Sequence, residues 1–526
     1  MGATAGEVTR PAAAGPGGPS SPVIELRGVD KRFGDVHANR DISLVVRAGT
    51  IHGIVGENGA GKSTLMAILY GYYRPDRGEI LVRGRPAGIH TPQDALAAGI
   101  GMVHQHFMLV EPFTVLENVV LGVEGGFRLG AGLARARAEL QRLGREYHLE
   151  VDPDARVEHL GVGPRQRVEI LKALYRKADL LILDEPTAVL TPQEADHLFR
   201  ILGALRAEGK TVLLITHKLR EVRAITDVVT VMRQGQVVAT LPTRDTTAEQ
   251  LAALMVGRPV TLRVGKTARQ PGEPLLEVTD LVVLGSLGVP RVKGVTFAVR
   301  RGEIVGVAGV AGNGQSELLE ALAGMRAVES GRIRWQGRDI TDTGDRTPRL
   351  MRALGLAHVP EDRHRMGLVI PFTARESAIL GYHRESTYNG TIRLNRRAVA
   401  AGFDRQAAAY DVRPGDGSLP TSAFSGGNQQ KIVLARELDR NPDLLLVGQP
   451  TRGVDIGAIE FIHQRLVALR DAGKAILLVS VELDEILALA DRILVMHDGG
   501  IVGDVPRAEA TEQALGLMMA GAVGSA

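Results

Sequence analysis

The chain has 526 residues, with 63 Lys and Arg against 60 Asp and Glu, and it contains no Cys. That length exceeds what one hydrophobic core organises and predicts two domains of roughly 200–250 residues each. The near-balanced charge, without a concentrated basic stretch, argues against nucleic acid as a partner, and the lack of Cys excludes disulfides and Cys-ligated zinc, which fits a reducing cytoplasm.

Residues 1–22 are rich in Ala, Gly, Pro and Ser and lack an apolar core, so they read as a disordered tail and not as a signal peptide. A β-rich segment is expected over 23–46, then an apolar strand over 51–55. The strand runs into Gly56-Glu57-Asn58-Gly59-Ala60-Gly61-Lys62-Ser63-Thr64, which satisfies the phosphate-loop pattern G-x-x-x-x-G-K-[ST]. An amphipathic helix follows, so backbone N–H groups and a helix N-terminus point at a phosphate. Lys62 is suited to neutralising the β- and γ-phosphates and Ser63 to ligating Mg²⁺. After a helix-rich middle, Leu180-Leu181-Ile182-Leu183-Asp184-Glu185-Pro186-Thr187 is an apolar strand delivering two carboxylates to its C-terminal end. In a phosphate-loop enzyme Asp184 would hold Mg²⁺ through water and Glu185 would polarise the attacking water.

The pattern then repeats. Residues 257–274 hold Gly, Pro, Thr, Lys and Arg without periodicity and read as a linker. A β-rich stretch over 275–299 and a strand over 304–308 precede Gly309-Val310-Ala311-Gly312-Asn313-Gly314-Gln315-Ser316-Glu317, which keeps the glycines and the Ser but puts Gln315 where the Lys belongs. This is a duplicated NTPase with unequal halves, and strands alternating with helices imply a parallel α/β core in each. No uninterrupted apolar segment approaches the roughly 20 residues of a membrane span, so any membrane role passes through a partner.

On these motifs the chain resembles the ATP-binding cassette (ABC) ATPases over nearly its whole length after Pro22. The resemblance implies an α/β fold of two tandem ABC ATPase domains, each a phosphate-loop parallel-sheet core with an N-terminal β subdomain and a helical subdomain. The expected division is a tail over 1–22, a first domain over 23–258, a linker over 259–273 and a second domain over 274–522. By the same resemblance Gln105, in Val103-His104-Gln105-His106-Phe107, is similar to the Q-loop residue that reaches Mg²⁺ and couples to a membrane partner. His217, in Ile215-Thr216-His217-Lys218, resembles the switch histidine near the γ-phosphate, and Phe33 the aromatic that stacks on adenine. The family works as head-to-tail pairs, each ATP lying between the phosphate loop of one domain and a signature segment of the other. That signature is Phe424-Ser425-Gly426-Gly427-Asn428-Gln429 in the second half, but Leu160-Gly161-Val162-Gly163-Pro164 in the first. One composite site would therefore join residues 56–64, Gln105, Asp184, Glu185 and His217 to Ser425, Gly426 and Gly427, with every part present. The other would join Gln315, Glu361 at the Q-loop position, Gly448 and Gln449 in place of the carboxylates, and Val481 in place of His, to the impaired Gly161 segment. No aromatic falls between Leu275 and Phe297 to stack on adenine there. Random decay would scatter such losses over both sites, yet they gather in one.

Wider wording, including PTAVLTPQE from Pro186 and PEDRHRMG from Pro360, resembles the fused ATPase subunits of bacterial sugar and nucleoside importers. His104-Gln105-His106-Phe107-Met108 and Ala188-Val189-Leu190-Thr191 are more similar to the nucleoside branch, which works with a Bmp-type binding lipoprotein; the monosaccharide branch is the alternative. The resemblance implies ATP and Mg²⁺ as ligands, two transmembrane permease subunits and an extracytoplasmic substrate-binding lipoprotein as partners, and a peripheral place on the cytoplasmic face of the membrane. A soluble translation-associated ABC protein would keep two intact sites and a long charged linker, and a repair ABC ATPase would need zinc-binding cysteines.

Overall fold

The computed structural model describes residues 21–521 apart from 35, 105–106, 124–128, 188–189, 191, 261–264, 268, 311, 342–345 and 391–392. The chain divides into two compact units, 1–259 and 260–526.

In unit 1 the strands β1 (Pro22–Phe33), β2 (Val36–Arg47) and β3 (Ile51–Gly56) lead into α1 (Lys62–Leu69). There follow β4 (Arg77–Val82), β5 (Arg85–Pro86), α2 (Pro92–Ala97), β6 (Ile100–Val103), α3 (Val115–Val120), α4 (Leu129–Tyr147) and α5 (Val162–Tyr175). The unit closes with β7 (Leu180–Asp184), α6 (Pro192–Ala207), β8 (Thr211–Ile215), α7 (Leu219–Ile225), β9 (Val228–Arg233), β10 (Gln236–Pro242) and α8 (Ala248–Val256).

Two sheets result. The first is antiparallel, in the order β2-β1-β4-β5; the second runs β10-β9-β3-β8-β7-β6, with β9, β3, β8, β7 and β6 parallel and β10 an antiparallel edge. Every residue of β3 and β8 is buried, as expected of strands covered on both faces, which read as continuous apolar runs. The edge strand β10 alternates instead between exposed and half-buried residues. Because β3, β7 and β8 are parallel neighbours, their C-terminal ends open at the same edge of the sheet, where ligands of open α/β sheets bind. One apolar core, with Ile54, Leu65 and Ile182, lies between the two sheets; another, with Val119, Leu171 and Leu202, lies under the helical region.

Unit 2 repeats this plan. It comprises β11 (Pro274–Leu284), β12 (Pro290–Arg300), β13 (Ile304–Ala308), α9 (Gln315–Leu322), β14 (Ser330–Trp335), β15 (Arg338–Asp339), α10 (Pro348–Ala353) and β16 (Leu356–Val359). Then come α11 (Ala374–Ser377), α12 (Arg396–Tyr410), α13 (Gly426–Leu438), β17 (Leu444–Gly448), α14 (Ile456–Asp471), β18 (Ala475–Ser480), α15 (Leu483–Leu489), β19 (Arg492–His497), β20 (Gly500–Pro506) and α16 (Glu512–Met519). Its sheets run β12-β11-β14-β15 and β16-β17-β18-β13-β19-β20, the same two orders as in unit 1.

The segment that reads as a linker belongs in part to unit 2. Lys266 Nζ donates to the carbonyls of Leu489 (3.0 Å) and Ala490 (2.7 Å) at the end of α15, and Arg470 donates to the Thr267 carbonyl at 2.7 Å. A cation on the last carbonyls of a helix satisfies groups that the helix leaves orphaned. Among the described residues no helix is long and apolar enough to cross a membrane.

Candidate active site

The phosphate loop of unit 1 leaves β3 and enters α1 at Gly61, whose φ of 94° places it in the left-handed region. A Cβ there would stand 2.3 Å from the Ala38 carbonyl oxygen, so both the conformation and the close approach of β2 demand glycine. Lys62 is 6 % exposed and lies back over the loop, its Nζ donating to the Gly56 carbonyl (2.7 Å) and the Glu57 carbonyl (3.0 Å). Burial lowers its pKa, and the charges of Glu185, Asp184 and Glu57 oppose that shift.

Asp184 and Glu185 stand at the end of β7. Burial, reinforced by the charge of Glu185, pushes the Asp184 carboxyl up to about 6, with Lys62 pulling the other way. Glu185 adopts φ 45° while its N–H donates to the Ile215 carbonyl at 2.9 Å. Its carboxylate takes His217 Nδ1 at 2.9 Å. Burial raises the Glu185 pKa, but the bond to His217 and the charges of His217, Lys62 and Lys218 outweigh it and hold the group below its ordinary value. Phe33, 42 % exposed at the end of β1, meets Tyr73 edge to face with ring centroids 5.1 Å apart. Its flank is pinned by Asp76, which accepts from Arg32 N at 2.7 Å and Lys31 Nζ at 2.8 Å. Gln105 lies outside the described residues.

Unit 2 has the same loop and a different interior. Gly314 again enters the helix at φ 97°. Gln315 is 4 % exposed, and its Nε2 has no hydrogen-bond partner among the described residues. Ser316, the counterpart of Ser63, donates to Glu361 Oε2 at 2.5 Å. The Glu361 carboxyl is pushed up by burial, against the pull of the Ser316 bond. Where unit 1 has its carboxylate pair, Gly448 ends β17 and Gln449 follows at φ 46°, its Oε1 accepting from Val481 N at 3.3 Å. The left-handed backbone of the Glu185 turn is therefore kept at Gln449 without the carboxylates. Ser425 caps α13, accepting from Asn428 N (3.4 Å) and Asn428 Nδ2 (2.9 Å), whereas Gly161 caps α5 with no side-chain bond.

Residues 39–188 and 292–452 match the family model described as ABC transporter. The chain belongs to the ABC transporter family. It is 48 % identical over 499 residues to the nucleoside import ATP-binding protein NupA of Lactococcus lactis subsp. cremoris, covering 95 % of this chain and 98 % of that one. It is also 48 % identical to the guanosine import ATP-binding protein NupO of Bacillus subtilis (95 % and 97 % covered). With a glucose import ATP-binding protein of Haloferax volcanii it shares 44 % identity (95 % and 96 % covered). Among solved structures, the archaeal ribosome recycling factor in complex with a ribosomal stalk protein superposes over 91 % of this chain and 90 % of its own, with TM-score 0.59 and 21 % identity, a likeness of fold alone. Family membership makes this an ATP-binding chain with two fused ABC cassettes.

Within that ABC architecture, Lys62, Asp184, Glu185 and His217 come together at the ends of β3, β7 and β8. Sequence reasoning missed two features. The hydrogen bond from Ser316 to Glu361 was signalled only by an acidic residue at the Q-loop position. Glu221, buried in α7 and bonded to Thr187 and to Thr216 (3.0 Å), carried no motif at all.

Proposed function

We propose that the chain is the ATP-hydrolysing subunit that energises a bacterial ABC importer for nucleosides, with its chemistry confined to the cassette of unit 1. The observation that carries the asymmetry is the pairing of Glu185 with His217 at 2.9 Å beside Lys62 in unit 1, against Gln449, Val481 and Gln315 at the equivalent points of unit 2. Identity of 48 % over nearly the full chain to two import ATP-binding proteins, for nucleosides and for guanosine, supports the substrate class.

The substrate ATP suits the residues of unit 1. Its phosphates meet the loop N–H groups of residues 56–64 and the N-terminus of α1, Lys62 exchanges its loop carbonyls for phosphate oxygens, and the exposed face of Phe33 stacks on adenine. Mg²⁺, when bound, neutralises charge on the phosphoryl oxygens; Ser63, Asp184 and Gln105 would hold it, and the desolvated carboxyl of Asp184 gains a charge partner there. Glu185, kept ionised at neutral pH, orients and deprotonates the attacking water, and His217 holds that carboxylate in place. Because the sequence losses sort by composite site, Ser425, Gly426 and Gly427 are the signature that completes the unit 1 cassette. Two transmembrane permeases, an extracytoplasmic binding lipoprotein and a peripheral position at the cytoplasmic face of the membrane complete the proposal.

The test is ATPase activity of the chain purified with its permeases and binding protein across nucleosides and monosaccharides. Stimulation by nucleosides is expected. The glucose importer relative keeps stimulation by a monosaccharide as the second reading, and hydrolysis indifferent to every solute would overturn the transport role.

A further inference from the structure

Glu221 is a buried carboxylate that neither the phosphate loop nor the two catalytic strand ends contains. It lies on α7 and is 7 % exposed, and burial raises its pKa. Its two oxygens go to two different segments. Thr187 Oγ1 donates to Oε1 and Thr216 Oγ1 donates to Oε2 at 3.0 Å. Thr187 is 3 % and Thr216 1 % exposed, so each buried O–H would lose its acceptor without that carboxylate, at the cost of an unsatisfied donor.

The positions of those threonines matter. Thr187 lies two residues after Glu185, on the turn that leaves β7. Thr216 immediately precedes His217, on the turn that leaves β8, and its Oγ1 also accepts from Lys218 N at 3.0 Å. One side chain thus ties together the two turns whose catalytic groups meet at 2.9 Å. The strand ladder between β7 and β8 aligns Asp184 with Ile215 and stops there. Beyond the ladder, Glu185 N donates to the Ile215 carbonyl at 2.9 Å, and the side chains depend on how the turns leave the sheet.

Unit 2 supplies an internal contrast. Glu485 occupies the corresponding place on α15, four residues after Val481 as Glu221 is four after His217. Its Oε1 takes His463 Nε2 at 3.0 Å, and its Oε2 has no hydrogen-bond partner among the described residues. The acidic residue is kept where Gln449 and Val481 replace the catalytic pair, but it no longer spans the two turns.

We propose that Glu221 is a positioning residue for hydrolysis: by holding Thr187 and Thr216 together it sets the Glu185–His217 contact. The inference rests on the reading of Glu185 and His217 as the hydrolytic pair. Loosening that contact misplaces the group that orients water while leaving the phosphate loop and the adenine platform untouched, and misplacement of about 1 Å can cost on the order of a hundredfold in rate.

The test is steady-state ATPase kinetics of the full chain with its permeases for Glu221→Ala, Glu221→Gln, Thr216→Val and Glu185→Gln, alongside nucleotide binding and thermal melting. Glu221→Ala should lower kcat by about ten- to a hundredfold with KM and nucleotide affinity within about twofold. Glu221→Gln, whose amide can accept from one threonine and donate to the other, should recover most of that loss. Thr216→Val, a smaller perturbation should Glu221→Ala fail to fold, should lower kcat in the same direction, and combining it with Glu221→Ala should add less than the product of the two. The proposal is overturned if the folded Glu221→Ala chain keeps its kcat. It is equally overturned if Glu221→Gln is as damaging as Glu221→Ala with kcat and affinity falling together, the pattern of a general folding defect. An active Glu185→Gln chain would instead remove the reading beneath it, whereas an inactive Glu185→Gln beside an active Glu221→Ala removes this inference alone.

Discussion

Glu361 occupies the space that a side chain at Gly448 would need: a Cβ on Gly448 would stand 2.4 Å from Glu361 Cγ and 2.9 Å from Leu319 Cδ1. Unit 2 has therefore repacked around its missing carboxylate. The acid now near its phosphate loop comes from the Q-loop position, and it is bonded to the Ser that in unit 1 would serve Mg²⁺.

Gly448→Asp should consequently not rebuild the unit 1 arrangement. Overpacking of this kind costs about 1–3 kcal/mol, and the new carboxylate is forced against that of Glu361. The expected result is a lower melting temperature with ATPase activity unchanged. A chain that gains both stability and turnover would show that the packing around Glu361 is easily displaced.

The ionisation of Asp184 gives a pH signature. Its carboxyl is raised to about 6, so between about pH 4 and 6 the folded chain holds a proton that the unfolded chain has already released. That contribution to stability is present at low pH and is lost as pH rises from about 4 through 6. Mg²⁺ requires the ionised form, so affinity for Mg²⁺-ATP should weaken by up to about tenfold per unit as pH falls below 6. Asp184→Asn should remove this dependence and, at pH 7, stabilise the nucleotide-free chain by on the order of 1–2 kcal/mol. Titration of Mg²⁺-ATP affinity between pH 5 and 7 checks it; a flat profile in the parent chain contradicts it.

Ser425 tests the assignment of signatures. Losing a hydrogen bond to a charged phosphate costs about 1.5–3 kcal/mol, or roughly one to two powers of ten in rate or ATP affinity, so Ser425→Ala should impair hydrolysis by that amount. The same change removes the cap of α13, worth about 1 kcal/mol, which a melting curve registers separately. On that assignment Gly161→Ser restores a hydroxyl only to the composite site whose phosphate loop belongs to unit 2 and which lacks Lys, Asp, Glu and His, and it should leave turnover nearly unchanged. If Gly161→Ser alters activity severalfold while Ser425→Ala does not, the assignment is reversed.

Much of this was legible in the sequence because it is local. The runs 51–55 and 304–308 are apolar and bounded by glycine patterns that only a strand, loop and helix satisfy, and they form β3 and β13. The strand ending at Asp184 was legible for the same reason. What was not legible depends on contacts between distant segments. Glu221 reads as one more acidic residue on an amphipathic helix until the fold places it against Thr187 and Thr216. The bond between Ser316 and Glu361 joins positions whose chemistry changed in separate motifs. The composition of residues 257–274 reads as linker, because the carbonyls that hold Lys266 are those of Leu489 and Ala490.

Confinement of hydrolysis to unit 1 is tested by comparing ATPase turnover of Lys62→Ala and Gln315→Ala with the parent chain, permeases present. Loss of a charge-stabilising clamp should reduce turnover by about two to four orders of magnitude for Lys62→Ala, while Gln315→Ala should stay within about threefold. A loss from Gln315→Ala comparable to that from Lys62→Ala would show that unit 2 shares the hydrolysis.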